Sequence, residues 1–461
     1  MTIGESPSEV LENHNSQPVN LTKIEVVGGE PFTDNFFNKL LSPLLSTSDL
    51  TISQLINRTN NTISNLDHSD VFDDVEVTVG QDSQSKQVKT VLDAKALNLY
   101  TRFQLTPKKL NNFSVGSTTK EYGNFLHLNY SNLNTFGNSE FFKLYAVLNP
   151  ITDHQKRLVG LDFRAPCADP TLKLTANVLA SRSSITKFQS KEQDEIHGKF
   201  GIQKEHVFAK CGSKSTVTAA ISLTNRSTLQ VADSAHDEIK TYSGNHFKEA
   251  LHLDWNLTNL QYLPSSKRAF PLNGYNINVK NEYSGLTNAN PKTNDNYYKF
   301  EGAASIAKSF LNNNFTFTST VKAGQLLNLS TKSNTIHFQD KFYLPLSGFH
   351  TLGLNSNLCN VGGLSYLSYD ASLYSRFFFV SQQSPLRFFM SLNGGDILPS
   401  LGSITNLKSV ADLKNGSAIG ITYKVGNSVD CELFYKVPLS YKDSPFVKPG
   451  FGFTVTINGD Y

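Results

Sequence analysis

Cysteine is scarce. The four thiols, Cys167, Cys211, Cys359 and Cys431, stand dozens of residues apart in a chain of 461, and no two form a C-x-x-C pair. That spacing argues against a thiolate metal site and leaves reduced, unpaired thiols as the expectation. Charge of one sign is equally scarce, since 42 Lys and Arg offset 39 Asp and Glu to a formal +3 with no long basic run. Nothing in this balance calls for nucleic acid. The first basic residue, Lys23, comes after Glu5, Glu9 and Glu12. Neither a secretory signal nor an Arg-rich presequence is expected at this start. No apolar run approaches the roughly 20 residues of a membrane-spanning helix, so any membrane role must come from a barrel. A Walker loop, H-E-x-x-H, G-x-S-x-G and clustered His/Cys ligands are all missing. No catalytic residue, cofactor or metal is expected, and the chain reads as a non-enzyme.

What the sequence has is alternation. From about residue 111 onward, apolar and polar residues alternate in short bursts with little helical periodicity. In "LHLDWNLTNL", Leu251, Leu253, Trp255 and Leu257 share one face of a strand, and His252, Asp254 and Asn256 the other. "FLHLNYSN" and "FGFTVTI" repeat the pattern, and turn-rich spacers such as "NLNTFGNS" and "LTNANPKTNDN" separate the bursts. Counting bursts gives about 16 strands, an even number of the kind used by outer-membrane barrels. A soluble β-sandwich would alternate too. Polar residues as bulky as His252 and Lys280 on the inner face suit a wet lumen better than a dry core.

The first hundred residues differ. "LTKIEVVGG" reads as a strand ending at Gly28 and Gly29, followed by helical stretches around "TDNFFNKLL" and "TISQLINRTNNTISNLDHS". Two further strands, "DVFDDVEVTVG" and "KQVKTVLDAKALN", complete a β-α-α-β-β unit. Thr51 is placed to cap the second helix, with Ile52, Leu55, Ile56, Ile63 and Leu66 as its apolar stripe. Asp73 and Asp74 read as a solvated strand start. The expected organisation is a disordered tail over 1–20, a small α+β domain over 21–100 and an all-β transmembrane barrel of about 16 antiparallel strands over 101–461.

A small α+β unit directly before a barrel resembles a POTRA (polypeptide-transport-associated) domain. With that arrangement the chain resembles the Omp85 superfamily, and within it the barrel subunit of the mitochondrial sorting and assembly machinery. The likeness rests on "SSKRAFPLNGYNINVKNEYSG", which carries Lys267, Arg268, Pro271 and Gly274. It rests also on "GGLSYLSYDASLYSRF" with Gly362 and Gly363, on "RFFMSLNGGDI" with Asn393, Gly394 and Gly395, and on "GSAIGITYKV" and "KPGFGFTVTI".

The resemblance implies insertion of other β-barrels into the mitochondrial outer membrane, without nucleotide or metal, and with the N-terminal domain in the intermembrane space. Implied partners are β-barrel precursors, peripheral subunits of the assembly complex, intermembrane-space chaperones and membrane lipid. The implied lateral gate lies between the first strand, with Phe113, Val115 and Gly116, and the last, with Lys448, Gly450, Phe453 and Val455. Pro449, Gly450 and Gly452 make this junction the frailest on sequence grounds.

The family's loop after strand eleven folds into the lumen, around 330–360 here, and ends in an Ile/Val-Arg-Gly-Phe tip whose arginine can grip a wall carboxylate. This chain reads Leu346, Ser347, Gly348, Phe349. A weaker latch is expected, made by Ser347 and His350 near Asp370, Asn393 or Asp396. Two other readings stay open: a passive outer-membrane channel, and a scaffold member of the family that inserts nothing. His127, His246 and His252 read as isolated lumenal or loop histidines, and Asp254 and Asp370 as lumen-facing.

Overall fold

The computed structural model describes residues 16–45, 50–82, 96–120, 123–149, 156–167, 169–185, 190–208, 212–266, 270–285, 296–329, 336–343, 362–398, 413–425, 429–439 and 449–460. The chain forms two compact units. The first comprises Met1–Asn112, Ser131–Lys143 and Phe163–Leu174, and the second comprises Phe113–Tyr130, Leu144–Asp162 and Thr175–Tyr461.

In the first unit, β1 (Pro18–Val27), helices α1 (Asp34–Leu40) and α2 (Ser42–Leu45), β2 (Leu50–Thr51), α3 (Ile52–Ser69), β3 (Phe72–Gln81) and β4 (Leu97–Pro107) follow in order. The sheet order is β2-β1-β4-β3, with β1 parallel to β4. Parallel neighbours need a crossover, and the helices supply it.

Helix α3 starts where Thr51 accepts from Gln54 N at 3.3 Å and Gln54 Oε1 accepts from Thr51 N at 3.1 Å, a capping box. Leu55 and Leu66 are buried against Phe36, Leu40 and Phe103, and Ile52 and Ile63 pack beside them. Gly28 is left-handed, with φ of 84°, and a Cβ there would strike the carbonyl oxygen of Leu105. Only glycine fits both demands. Asp73 and Asp74 are exposed at the start of β3, as expected.

Two expected boundaries shift. The first strand begins at Pro18, inside the expected tail of 1–20, because Val19 is buried and pairs with both Leu50 and Leu97. The N-terminal sheet runs through Pro107, past residue 100, because Leu105 pairs with Val75 and closes the core. Most of the expected strand "KQVKTVLDAKALN" lies outside the described residues.

The barrel strands are β5 (Asn111–Lys120), β6 (Gly123–Asn132), β7 (Phe141–Asn149), β8 (Lys156–Pro166), β9 (Leu172–Ile185), β10 (Ser190–Phe208), β11 (Ser213–Val231), β12 (Gly244–Thr258), β13 (Gln261–Tyr262), β14 (Pro271–Ser284), β15 (Tyr297–Phe310), β16 (Phe315–Asn328), β17 (Ser365–Ser375), β18 (Leu386–Leu398), β19 (Lys414–Val425), β20 (Val429–Pro438) and β21 (Gly450–Asp460). They close into one antiparallel ring in which β21 pairs with β5. β13 is only two residues long and β12 pairs directly with β14, so 16 full strands make the wall.

Face assignment separates barrel from sandwich. Leu253 is 52% exposed and Ile196 is 58% exposed on the outer face, where a sandwich would bury one of its two faces in a core. The opposite face is polar: Lys199 pairs with Asp254 at 2.9 Å, and Ser222 and His252 lie 2.7 Å apart. Apolar outside and polar inside is the pattern of a membrane barrel. No helix among the described residues is long and apolar enough to cross a membrane.

Candidate functional site: the seam and the lumenal segment

A closed 16-strand ring must bring its first and last strands together, and the ladder that does so is short. β21 and β5 share seven residue pairs, from Thr454 opposite Lys120 to Asp460 opposite Ser114. The adjoining β20–β21 ladder has eight pairs, and β10–β11 has eighteen. Because Asp460 sits opposite Ser114, both ends of the barrel sequence lie at one rim. Few backbone hydrogen bonds therefore resist parting of the seam.

The expected gate residues divide around this ladder. Val115 lies opposite Gly459, Gly116 opposite Asn458, and Val455 opposite Thr119. Phe113 and Phe453 fall one residue outside the two ends of the ladder, and Gly450 pairs only with Lys436 of β20. Lys448 lies outside the described residues. Side chains add a lumenal fastening that the sequence did not suggest: the hydroxyls of Thr118 and Thr456 meet at 3.0 Å, and His127 Nε2 lies 3.0 Å from Thr118 Oγ1. His127 is thus a seam residue.

β16 is the eleventh full strand, so the stretch after it is where the family loop was expected. The tip residues Ser347, Gly348 and Phe349, with His350, lie outside the described residues. The loop's base does not. A turn of 3-10 helix, Phe338–Asp340, follows Ile336 and His337, and Phe342 bridges Gly363 through two backbone hydrogen bonds of 2.9 and 3.0 Å. Gly362, one of the glycines singled out in sequence, is left-handed at φ 71°, which turns the chain into this bridge.

Asp340 is buried in the lumen. Its Oδ1 accepts from Arg226 Nη1 of β11 at 2.9 Å and from Lys248 Nζ of β12 at 2.7 Å, and its carbonyl accepts from Lys299 Nζ of β15 at 2.7 Å. Two of these wall cations have further support: Glu195 lies 3.1 Å from Arg226, and Glu282 lies 2.5 Å from Lys248. Gln339 donates to Gln193 of β10 at 3.2 Å, and Lys341 pairs with Glu238. Apolar packing flanks these bonds, with Phe342 against Tyr297, Leu326, Ile336 and Tyr366 on one side and Phe338 against Ile239 and Tyr242 on the other.

Several sequence expectations change here. His246 is not isolated: its ring lies 4.9 Å from His337 and 5.2 Å from Tyr242. The tertiary fold brings these rings together from β12, the loop base and the β11–β12 connection. Asp396 is engaged by Lys414 at 2.8 Å, and Asp370 accepts from Ser372 at 3.1 Å. Asp254 faces the lumen as expected, and Lys280 stands opposite it in the ladder. Of the middle-strand motif, Lys267 and Arg268 lie outside the described residues. Pro271 opens β14, and Gly274, at φ 110°, lets the backbone of Asn259 cross against it. Among the described residues no three His, Cys, Asp or Glu converge as a metal site, and Cys167 and Cys431 are free. Cys211 and Cys359 lie outside the described residues.

The first unit carries a small polar feature of its own. In the turn between β6 and β7, Glu140 Oε2 accepts from the backbone of Phe136 and of Asn138, both at 3.0 Å, and Oε1 accepts from Asn138 Nδ2 at 3.1 Å. Burial pushes this carboxyl up, but the three donors outweigh it and hold it below the ordinary glutamate value. Thr33, the N-cap of α1, donates its backbone N–H to Gly137 at 2.9 Å in the same unit.

Residues 134–438 match the model of the Omp85 superfamily domain, which is most of the barrel. The chain belongs to the Omp85 superfamily. Among solved structures, this Omp85 chain is similar in fold to BamA from Haemophilus ducreyi lacking POTRA domains 1–3, with a TM-score of 0.68 at 12% identity over 96% of this chain and 85% of that one. CdiB from Acinetobacter baumannii gives a TM-score of 0.60 at 12% identity over 96% and 74% of the two chains, and CdiB from Escherichia coli gives 0.53 at 12% over 99% and 93%. No curated protein sequence matches it. At such identities the likeness is one of fold, and it covers the N-terminal domain as well as the barrel.

Proposed function

We propose that this Omp85 chain inserts and assembles β-barrel precursors in the mitochondrial outer membrane by offering the edge of β5 to an incoming strand. The observation that carries the reading is the seven-pair seam between β5 and β21. An unpaired strand in lipid leaves N–H and C=O groups that each cost several kcal/mol. A short ladder that opens can exchange its own hydrogen bonds for those of a substrate strand at little net cost, a form of β-augmentation. The process is non-enzymatic and needs no nucleotide or metal. The last strand carries a polar residue, a glycine and two spaced apolar residues, Lys448, Gly450, Phe453 and Val455, and substrate signal strands of that pattern would compete for the same edge.

The mitochondrial assignment rests on the resemblance of the late-strand motifs and of the single POTRA-like unit to the sorting and assembly machinery. In this reading the N-terminal domain faces the intermembrane space, where chaperones deliver precursors, and peripheral subunits bind the exposed parts of the complex. Protease added to intact mitochondria is expected to spare the domain and to cleave it after rupture of the outer membrane; cleavage in intact organelles would refute the orientation.

The test of mechanism is a locked seam. Cysteines at Thr119 and Val455, which lie opposite each other, are introduced after the four native cysteines are replaced by serine. Oxidation is expected to stop insertion of new barrels and reduction to restore it, while the locked barrel stays folded. Full insertion through a locked seam would refute the gate and leave the passive channel, whose signature is conductance without any effect of its depletion on other outer-membrane barrels.

A further inference from the structure

The lumenal segment Ile336–Tyr343 crosses the barrel interior from its own strands to distant ones. It leaves the end of β16 and returns to β17, yet its polar contacts reach β10, β11, β12 and β15. One residue gathers most of them. Asp340 contacts Arg226, Lys248 and Lys299, and both Asp340 and Lys248 are nearly inaccessible to solvent. Removing charge from water is costly unless it is paired and hydrogen-bonded, and a pair broken on one side leaves the other side uncompensated. Nothing in the apolar packing of Phe338 and Phe342 requires a charge between them.

The charges are also arranged with a definite polarity. At Asp340 the segment supplies the carboxylate and the wall supplies the cations, with Glu195 behind Arg226 and Glu282 behind Lys248, while the neighbouring Lys341 pairs in the opposite sense with Glu238 of the β11–β12 connection. The reverse arrangement, a cation on the loop and a carboxylate on the wall, is the one implied for the arginine-tipped loops of the family.

We propose that Asp340 is the positioning residue of the lumen: it latches the segment Ile336–Tyr343 to Arg226 and Lys248 on the wall, with polarity opposite to an arginine-tipped loop. The latch ties β11, β12 and β15 to the β16–β17 connection and fixes how much of the bore the segment fills. It needs no charge at residue 347. The proposal concerns the lumen, so it holds whether the barrel inserts substrates or only conducts.

The test compares Asp340→Asn with Asp254→Asn in the full chain reconstituted in lipid bilayers. Asp254 pairs with Lys199 on the wall, so it controls for loss of a lumenal ion pair as such. Asp340→Asn is expected to speed amide exchange in residues 338–342 about tenfold or more, because hydrogen bonds to charged partners are the strong ones. It is also expected to raise the frequency of large conductance steps, while migration of the unboiled protein on a detergent gel stays that of a folded barrel. Lys248→Gln combined with Arg226→Gln reproduces both changes, and adding Asp340→Asn to that pair changes little further, since the three act as one unit. Equal exchange in Asp340→Asn and native protein overturns the proposal. So does an equal response to Asp254→Asn, or loss of the folded barrel in both the asparagine and the double-glutamine variants, which would make the cluster a requirement of folding.

Discussion

Thr118 and Thr456 stand 338 residues apart in sequence and meet hydroxyl to hydroxyl at 3.0 Å across the junction that closes the barrel. Their backbones are opposite each other in the seven-pair ladder, and His127 backs the contact from the next strand. A seam with so few ladder bonds gains proportionately from one more.

Replacing both threonines by valine keeps shape and β propensity but removes this contact. Because Thr118 also meets His127, two hydrogen bonds are lost, at about 0.5–1.5 kcal/mol each. Amide exchange over residues 114–119 should rise by about 5- to 100-fold, with β10 and β11 unaffected as internal controls. Unchanged exchange at the seam would show that the hydroxyls contribute nothing to closure.

Glu140 should make the turn between β6 and β7 sensitive to acid. Its folded-state pKa is depressed, so its contribution is fully present above the unfolded glutamate pKa of about 4.3 and is lost as pH falls through the lower folded value. Exchange of the Phe136 and Asn138 amides, both bound to Glu140, should therefore accelerate below about pH 4 beyond the intrinsic trend. Glu140→Gln should remove that acceleration, and a pH profile identical in the two proteins would count against the assignment.

Gly274→Ala should be among the most damaging single changes in the barrel. The left-handed φ of 110° disfavours any side chain, and the new methyl would strike the Asn259 carbonyl oxygen. Strain of this type costs of order 1–3 kcal/mol before the collision is counted. The temperature at which the unboiled barrel loses its compact gel migration should drop, and an unchanged transition would mean that the β12–β14 connection yields without cost.

Thr51→Ala should loosen the long helix from its N-terminus. The capping box satisfies two otherwise orphaned backbone donors, and loss of such a cap typically costs about 1 kcal/mol. Exchange at Gln54 is the direct readout, and Thr51→Ser should largely restore protection.

Local rules carried much of the fold. Period-two alternation assigned Leu251, Leu253 and Trp255 to the outside and His252 and Asp254 to the lumen, because a strand has only two faces and a one-residue slip would exchange them. Thr51 with Gln54 set a helix start, Gly28 marked a turn that no other residue fits, and the count of bursts gave 16 strands because each crossing of a bilayer needs a similar length. The site was less legible. Position 347 stands out only against a family motif, and nothing in the local pattern marks Asp340, whose partners Arg226 and Lys248 lie 114 and 92 residues away. His127 and His246 looked alone for the same reason. Alternation says which face a side chain takes, but which inward-facing residues meet depends on ladder register and on where a connecting segment crosses the bore. Those relations exist only once the ring has closed, so the sequence determined a polar lumen and which strands are first and last, and the tertiary structure alone decided which charges hold the lumenal segment and that Thr118 and Thr456, rather than the Pro449–Gly452 stretch, meet in the closing ladder.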